Sequence, residues 1–361
     1  MNTTGSPLEV RTSGQARSEI SGSGQIKYNS IDIMRLLCAV MVVVIHTQPL
    51  TEYGGVLGYF ATFIFPRLGV PFFFAVSGYF YISGLLSGKK IFLKYVKRLL
   101  VVYTIWSFIY YAVDFVQVVR SNSSIWDFLR RSVINFFISG SHYQLWFFPA
   151  LIFCVMVVTL CRKHLWKLTV LSFILYIGGC LVGAYYKLGT KIPVIHYLYH
   201  SNSLEVVRRY LFMGLPFFLL GFVLIKVNKR LLAVKNKTII LSLVFTTILF
   251  LTEIFIVKTL KLQSNIIITV FLYPLLTIFL ILCFRYPLTK SNTAGCFCKV
   301  SANFMYYSHP LYMFVVSKLL FKFFQISLSN TLEFLLICTL TVLSSYIIFK
   351  LDVKLLNKLV N

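Results

Sequence analysis

Apolar stretches of about 20 residues alternate with short polar segments along almost the entire chain after residue 27. A helix needs about 20 apolar residues to cross the hydrocarbon core of a bilayer. The pattern therefore predicts an all-α bundle of about ten transmembrane helices, at residues 31–49, 66–86, 95–118, 144–161, 166–186, 208–226, 238–257, 265–284, 303–321 and 331–349.

The first 27 residues are rich in Ser, Gly and Thr and contain no apolar core. This composition is typical of a disordered tail and not of a signal peptide. We therefore expect a disordered tail over residues 1–27 and a single transmembrane domain over residues 28–361. The polar segments between apolar stretches are too short to hold a separate soluble domain.

The composition agrees with a polytopic membrane protein. Of the 361 residues, 58% are hydrophobic and 12% are charged, and the mean hydropathy is +0.82. A soluble domain carries about twice that share of charged residues. A soluble enzyme is therefore excluded.

The net charge of +25 comes from basic residues that lie mostly between the apolar stretches. With the N-terminus in the cytoplasm, 23 of the 35 Lys and Arg residues lie on the cytoplasmic side and 12 on the other side. This bias follows the positive-inside rule and predicts that both termini are cytoplasmic. No aromatic-basic module for nucleic acids is present, so we expect membrane lipids and no nucleic acid as partners.

Six of the eight cysteines lie in or at the ends of apolar stretches, where a thiol behaves as a small hydrophobic group. Cys296 and Cys298 form a CxC pair in a predicted loop, which offers too few ligands for a zinc site. His196 and His200 also lack a third ligand. We expect reduced thiols and no metal.

The first apolar stretch carries three ionisable residues, Asp32, Arg35 and His46. At ~100° per residue, Arg35 and His46 return to within ~20° of one helix face, ~16 Å apart along the axis. Asp32 is three residues before Arg35 and can pair with it. Ionisable groups inside a membrane usually face a polar interior, which indicates a site. The alternative is an arginine beside the membrane surface and a histidine bonded to a neighbouring helix.

The second and sixth predicted spans share a Gly-x-Pro-Phe-Phe motif, starting at Gly69 and Gly214. Since both spans start from the outer side, the motif suggests a parallel repeat. In the second span Pro71 frees a carbonyl, and Ser77-Gly78 lets another backbone approach closely. Ser77 then belongs either to a substrate site or to a kinked packing helix.

A basic loop leads into the third predicted span and ends in Lys94, Lys97 and Arg98. A cluster of this kind beside a membrane commonly binds lipid headgroups. The alternative is a phosphate site for a nucleotide-bearing cofactor, because guanidinium and ammonium groups bind phosphate oxygens.

The outer segment 119–143 contains an amphipathic piece, residues 126–138, which we expect to lie at the membrane interface. It leads into Tyr143, Gln144 and Trp146. Aromatic residues at a helix entry form either an interfacial belt or part of a substrate site.

Two further polar residues lie in apolar surroundings. Glu253 is an acid inside a predicted span and needs a partner or a cavity. His309 follows two tyrosines at the predicted cytoplasmic entry of the ninth span. His309 is either a helix-entry residue hydrated at the level of the lipid headgroups or a residue of the functional site.

No GxSxG, Walker, DxD or GxGxxG motif occurs, which argues against a soluble-type hydrolase, ATPase or dinucleotide site. The chain instead resembles the acyltransferase-3 family of integral-membrane acyltransferases, in particular the branch that includes the membrane half of the vancomycin-resistance serine racemases. The resemblance rests on six motifs that occur in the family's order between residues 31 and 350: IDIMRLLCAVMVVVIHT, PFFFAVSGYFY, KYVKRLL, QLWFFPALI, GLPFFLLGF and YYSHPLYM.

The resemblance implies a ten-helix enzyme of the bacterial cytoplasmic membrane that moves an acyl group, acetyl in particular, from cytoplasmic acetyl-CoA to a hydroxyl of a cell-surface or lipid-linked carbohydrate. Arg35 and His46 take the family's paired positions, and Lys97-Arg98 take its basic site. In these roles Arg35 holds the CoA end or the thioester oxygen, and His46 acts as general base. KYVKR has mostly Lys where many relatives place paired Arg, and Lys does not reproduce bidentate phosphate contacts.

Two other functions stay open on the sequence. A transporter of a small amino acid such as serine would use prolines inside the spans, together with Glu253, in broken-helix binding sites. A membrane scaffold would keep its ionisable groups paired and dry. Acyl transfer would support the enzyme, and counterflow uptake without acyl-CoA would support the transporter. A His46 packed away from any cavity would support the scaffold.

Overall fold

A computed structural model of the chain describes residues 29–54, 58–201, 203–263, 268–286, 292–325 and 328–351. The tail expected over residues 1–27 lies outside these ranges. Within them all regular secondary structure is helical. The longer helices, which we number in chain order, are α1 (Asn29–Thr47), α2 (Gly69–Leu86), α3 (Phe92–Arg120), α4 (Ile125–Phe137), α5 (Phe147–Leu160), α6 (Leu165–Val182), α7 (Leu215–Leu232), α8 (Asn236–Thr259), α9 (Leu272–Arg285), α10 (Asn292–Phe324) and α11 (Asn330–Leu351).

Each predicted span overlaps one of these helices, and the protein is a multi-pass membrane protein. In the described ranges seven helices are long and apolar enough to cross a bilayer: Asn29–Thr47, Phe65–Leu86, Phe92–Arg120, Arg162–Val182, Leu204–Val227, Asn236–Thr259 and Asn330–Leu351. Helices α5 and α9 have 14 residues each. A helix of that length covers ~21 Å of a hydrocarbon core of ~30 Å. The count of ten crossings and the orientation of the termini therefore stay predictions.

Helix α10 corrects one predicted boundary. It begins at Asn292, whereas the apolar run predicts a start at residue 303 and a loop over residues 285–302. Cys296 and Cys298 thus lie in a helix, and the prediction of a loop there was wrong. Hydropathy identifies only the apolar part of a helix. The first turns of α10 are polar, so hydropathy does not detect them although they are helical.

The predicted amphipathic piece is helix α4. The Ser124 hydroxyl caps its first turn by accepting a hydrogen bond from the backbone N–H of Asp127 at 3.2 Å. No residue of α4 is buried. Its position at the membrane interface stays a prediction.

Helix α1 lies at the centre of the contacts that matter for the site. It packs against α2, α9, α10 and α11. The residues it buries are small or β-branched, among them Cys38, Ala39, Val42 and Val43. Small side chains let neighbouring helices approach closely in a membrane bundle, so the polar groups of α1 meet their neighbours at short range.

Helices α2 and α7, which carry the two copies of the repeated motif, pack directly against each other. A Cβ atom at Gly78 would lie 1.9 Å from the carbonyl oxygen of Phe218. A Cβ atom at Gly221 would lie 2.2 Å from the backbone nitrogen of Tyr79. The prediction that Ser77-Gly78 permits a close backbone approach is confirmed, and Gly221 is its counterpart on α7.

We predict that Gly221→Ala destabilises the protein, because the added methyl group forces α2 and α7 apart. Overpacking of this kind costs about 1–3 kcal/mol and should lower the melting temperature in detergent. Gly178→Ala in α6 is the matched control, since its Cβ would meet nothing closer than a Phe212 ring carbon at 3.7 Å. Equal melting temperatures for the two variants would contradict the close approach.

Candidate functional site

Helix α1 presents Arg35 and His46 to the same neighbour, α10. Arg35 interacts electrostatically with Lys299 and Tyr307. His46 stacks on His309, with ring centroids 5.3 Å apart. Lys299, Tyr307 and His309 all belong to α10, so Arg35 and His46 both interact with residues of this helix. The two ends of this face are ~16 Å apart.

Pro310 decides the protonation pattern of His309. A proline inside a helix has no backbone N–H, so the carbonyl four residues earlier, at Tyr306, loses its helical donor. Nδ1 of His309 lies 3.0 Å from the carbonyl oxygens of Tyr306 and Met305. Because a carbonyl only accepts, Nδ1 carries the proton and Nε2 keeps its lone pair. Nε2 is buried and has no hydrogen-bond partner in the described part of the chain.

A line of rings extends from His309 toward the surface. His46 is partly exposed and lies between His309 and Tyr143, whose ring centroid is 4.7 Å away. Tyr143 is 4.5 Å from His142, and His142 stacks on Tyr110 of α3 at 4.2 Å. We call His46, His142, Tyr143 and His309 the histidine cluster. His309, expected at a helix entry, is instead fully buried in the middle of α10.

Gln144 fixes the segment that supplies His142 and Tyr143. Its Oε1 accepts a hydrogen bond from Nδ1 of His142, and its Nε2 donates to the carbonyl of Tyr307 at 3.3 Å. The Tyr306 hydroxyl donates to the Gln144 carbonyl at 2.7 Å. Gln144 is 2% exposed and ties this segment to the turn of α10 that precedes Pro310.

The same segment is also held by α3. The Tyr103 hydroxyl donates to the carbonyl of Phe136 at 2.7 Å and accepts from the backbone N–H of Ser141 at 3.0 Å. Between them Gly140 has φ of +90°, and a Cβ there would lie 2.5 Å from Cα of Trp146. Only glycine permits this turn, which places His142 against Tyr110 of α3.

A second group of charges lies at the other end of the α1 face. Lys299 interacts electrostatically with Arg35, Asp32 and Arg98, and Tyr307 with Arg98 and Arg35. The Arg35 guanidinium donates to the Asp32 carboxylate at 2.6 Å, as predicted. We call Arg35, Arg98 and Lys299 the cation cluster.

Ser77 supports the cation cluster through Tyr95. The Ser77 and Tyr95 side chains are hydrogen-bonded, and the Arg98 guanidinium carbon lies 5.3 Å from the centre of the Tyr95 ring. Tyr95 also interacts electrostatically with Arg35. A backbone-packing residue of α2 thus orders the aromatic ring on which Arg98 rests.

Lys94 and Lys97 are exposed and are not brought to the cation cluster by any described contact. Lys97 lines an open groove of about 460 Å³ along α3, which runs from Leu93 to Ile105. The residues that line this groove all belong to α3, so it does not connect to His46. Of the predicted basic site, Arg98 interacts electrostatically with Lys299 and Tyr307, as Arg35 does.

Residues 28–350 match the acyltransferase domain that defines the acyltransferase-3 family. The chain belongs to this family. It is also similar to an amino-acid racemase of Enterococcus faecalis, with 28% identity over 347 residues, which cover 92% of this chain and 47% of that protein. A serine/alanine racemase of Enterococcus gallinarum is 26% identical over 215 residues, or 57% of this chain and 30% of that protein.

The chain spans less than half the length of these curated relatives. No solved structure matches it significantly. Family membership therefore establishes an acyltransferase-type membrane domain. The donor and the acceptor have to be inferred from the geometry of the clusters.

Glu253 is not brought to either cluster. Its carboxylate accepts hydrogen bonds from the Tyr185 hydroxyl at 2.7 Å and from the backbone N–H groups of Val270 and Phe271 at 2.6 and 2.9 Å. These two N–H groups precede the first turn of α9, where a negative charge is favourable. The burial of Glu253 is thus explained by a structural role.

Trp146 likewise lies beside the histidine cluster and not within it. Its ring is 6.1 Å from that of Phe74, and the guanidinium carbon of Arg209 lies 5.3 Å from the ring centre. An interfacial belt residue would meet lipid, whereas this indole packs inside the bundle.

Sequence reasoning missed three residues that the structure adds, His142, Lys299 and Tyr110. Lys299 lay in the stretch predicted as a loop, which hid its position on α10. His142 carries no motif of its own, but its position directly before Tyr143-Gln144 was a usable signal. Tyr110 is an aromatic residue among many on α3, and nothing in the sequence distinguishes it.

We predict that His142 makes stability depend on pH. Burial lowers the pKa of His142 below its ordinary value, and the Gln144 hydrogen bond and Asp114 oppose this only in part. The unfolded chain then binds the proton more readily, so the stabilisation is complete above about pH 6.5 and is lost as the pH falls. His142→Asn keeps a donor toward Gln144 but cannot be protonated.

The measurement is the fall in melting temperature in detergent between about pH 7.5 and about pH 5.5. This fall should be smaller in His142→Asn than in the wild type. His200→Asn removes an exposed histidine and should behave as the wild type. An equal fall in all three proteins would contradict the prediction.

Proposed function

We propose that the protein is a membrane-bound O-acyltransferase, which moves an acyl group, acetyl in the first instance, from cytoplasmic acyl-CoA to a hydroxyl of a cell-surface or lipid-linked carbohydrate. The observation that carries the proposal is the common face of α1, with the cation cluster at one end and the histidine cluster at the other. Membership of the acyltransferase-3 family supports acyl transfer as the class of reaction.

The cation cluster suits the phosphate end of the acyl donor. Arg35 and Arg98 offer planar donors that match phosphate oxygens two at a time, and Lys299 adds a point charge. From there an extended pantetheine arm would run beside the packed α1–α10 contact, past Tyr307. The thioester would then reach the histidine cluster, ~16 Å away.

His46 suits the role of general base. It is the partly exposed member of the pair with His309, so an acceptor can reach it. Its imidazole takes the proton of the acceptor hydroxyl, whose oxygen attacks the thioester carbonyl carbon. The carbon–sulfur bond breaks, and the CoA thiolate leaves and takes the proton from the imidazolium.

His309 suits the role of a positioning residue. Its ring is held by two backbone carbonyls and lies against His46, 5.3 Å away and tilted by 26°. A fixed neutral ring on one side and Tyr143 on the other restrict the orientations of His46. Restricting a base in this way lowers the entropy cost of reaching the reactive geometry.

We predict that His46→Ala lowers acyl transfer by a factor of about 10²–10⁴, the usual contribution of a general base. The assay follows labelled acetyl from acetyl-CoA into membrane glycans by the purified protein in liposomes, together with CoA release. His200→Ala, which removes an exposed histidine, is the control and should retain activity. If His46→Ala transfers acetyl as fast as the wild type, the proposed base is wrong.

A second variant tests the donor end. Lys299→Gln should raise KM for acetyl-CoA about tenfold, with little change in kcat, because the lost charge contacts phosphate and not the reacting atoms. Lys163→Gln removes an exposed lysine and should leave both constants unchanged. An effect of Lys299→Gln on kcat alone would place this residue outside the donor site.

Transport of a small amino acid such as serine is the second candidate. It is favoured by the names of the relatives, which are amino-acid racemases, and by breaks in two helices. π-helical segments at Phe60–Ile64 and Arg208–Gly214 interrupt the α-helical geometry before α2 and α7, as in broken-helix transporters. Counterflow of labelled serine into proteoliposomes without acyl-CoA would establish this activity, and its absence with acetyl transfer intact would exclude it.

A further inference from the structure

The proposed reaction creates a negative charge beside His46 that no residue named so far stabilises. When the acceptor oxygen attacks the thioester, the carbonyl electrons move onto the carbonyl oxygen, which becomes an oxyanion. Arg35 is ~16 Å from His46 along α1, which is too far for it to bind phosphate and this oxygen at once. A hydrogen-bond donor close to His46 therefore has to stabilise the oxyanion.

Most side-chain donors around the histidine cluster are already engaged. Gln144 Nε2 and the Tyr110 hydroxyl both donate to the carbonyl of Tyr307, at 3.3 and 2.6 Å. The Tyr306 hydroxyl donates to the carbonyl of Gln144 at 2.7 Å, and Nδ1 of His309 faces two backbone carbonyls at 3.0 Å. Each of these donors would have to give up a hydrogen bond to a backbone carbonyl before it could bind an oxyanion, which costs free energy.

The hydrogen bond between His142 and Gln144 excludes His142 as well. Because the amide nitrogen of Gln144 donates to Tyr307, its Oε1 accepts, and Nδ1 of His142 carries the proton. The neutral His142 ring then has a lone pair at Nε2 and no second N–H group. In this form its only donor is engaged by Gln144, so it cannot stabilise an oxyanion.

Tyr143 is the member of the histidine cluster whose donor lacks a strong acceptor. Its hydroxyl lies 3.9 Å from Sδ of Met313, and a thioether sulfur is a weak acceptor. In the described part of the chain this hydroxyl makes no other hydrogen bond. The residue is 45% exposed, and its ring lies 4.7 Å from the His46 ring. A ligand that reaches His46 therefore also contacts Tyr143.

We propose that Tyr143 is a catalytic residue, whose hydroxyl donates a hydrogen bond to the oxyanion of the tetrahedral intermediate. His46 takes the proton of the acceptor hydroxyl, the acceptor oxygen bonds to the carbonyl carbon, and the carbonyl oxygen gains the negative charge. The carbon–sulfur bond then breaks, and the thiolate takes the proton from His46. Tyr143 keeps its own proton throughout. This role rests on the proposed acyl transfer.

The weak resting partner of the Tyr143 hydroxyl makes its contribution specific to the transition state. To bind the oxyanion, the hydroxyl gives up only the contact with the Met313 sulfur. A hydrogen bond to a charged oxygen is about twice as strong as one to a neutral carbonyl. An interaction that strengthens as the charge develops raises kcat and changes substrate binding little.

Tyr143→Phe keeps the ring beside His46 and His142 and removes only the hydroxyl. We expect kcat for acetyl transfer in liposomes to fall by a factor of about 10²–10³, as when one oxyanion donor is lost, with KM for acetyl-CoA nearly unchanged. Met313→Leu is the matched control, because it removes the thioether partner and leaves the donor in place. This variant should retain the kcat of the wild type.

A second replacement at position 143 separates hydrogen bonding from packing. Incorporation of 3-fluorotyrosine keeps the hydroxyl and makes it a stronger donor, because fluorine withdraws electrons from the ring. The resulting kcat should equal or exceed that of the wild type. A kcat as low as that of Tyr143→Phe would contradict donation to the oxyanion.

Melting temperatures in detergent check that each variant is folded. The role of Tyr143 is wrong if Tyr143→Phe transfers acetyl as fast as the wild type, or if it loses activity only through KM. Equal losses in Tyr143→Phe and Met313→Leu would assign the effect to packing and would also overturn the proposal. In these cases the wild type still transfers acetyl and the proposed reaction stands, whereas a wild type without transfer would refute the reaction and the role together.

Discussion

The contact between α1 and α10 brings together the proposed base, the histidine that positions it and two members of the cation cluster. Helix α1 supplies Arg35 and His46, and α10 supplies Lys299, Tyr307 and His309. Ionisable groups in an apolar bundle are costly, with translocon-based values of about 2.5–3.5 kcal/mol for a charged residue at mid-helix. Packing the two helices face to face lets the costly groups of each meet those of the other, instead of lipid.

The missing backbone hydrogen bond at Pro310 helps to fix the side chains at the α1–α10 contact. The carbonyl freed by the proline accepts from His309 Nδ1. The next carbonyl, at Tyr307, accepts from the Tyr110 hydroxyl at 2.6 Å and from Gln144. In an apolar medium an unpaired carbonyl costs several kcal/mol. The side chains that satisfy these carbonyls are thereby fixed, and they carry His142 and Tyr143 with them.

Hydropathy and periodicity alone determined that this is a helical membrane protein, that Asp32 pairs with Arg35, and that Arg35 and His46 share a face. These properties depend on residues near one another in the chain, so helical geometry suffices to derive them. The tertiary structure alone decided that His142, Lys299 and Tyr110 join them, that His309 is buried mid-helix, and that Glu253 caps α9. Those contacts join residues that are far apart in the sequence, so they depend on which helices pack against each other. Close backbone approaches, such as that of Gly78 to Phe218, determine which helices can do so.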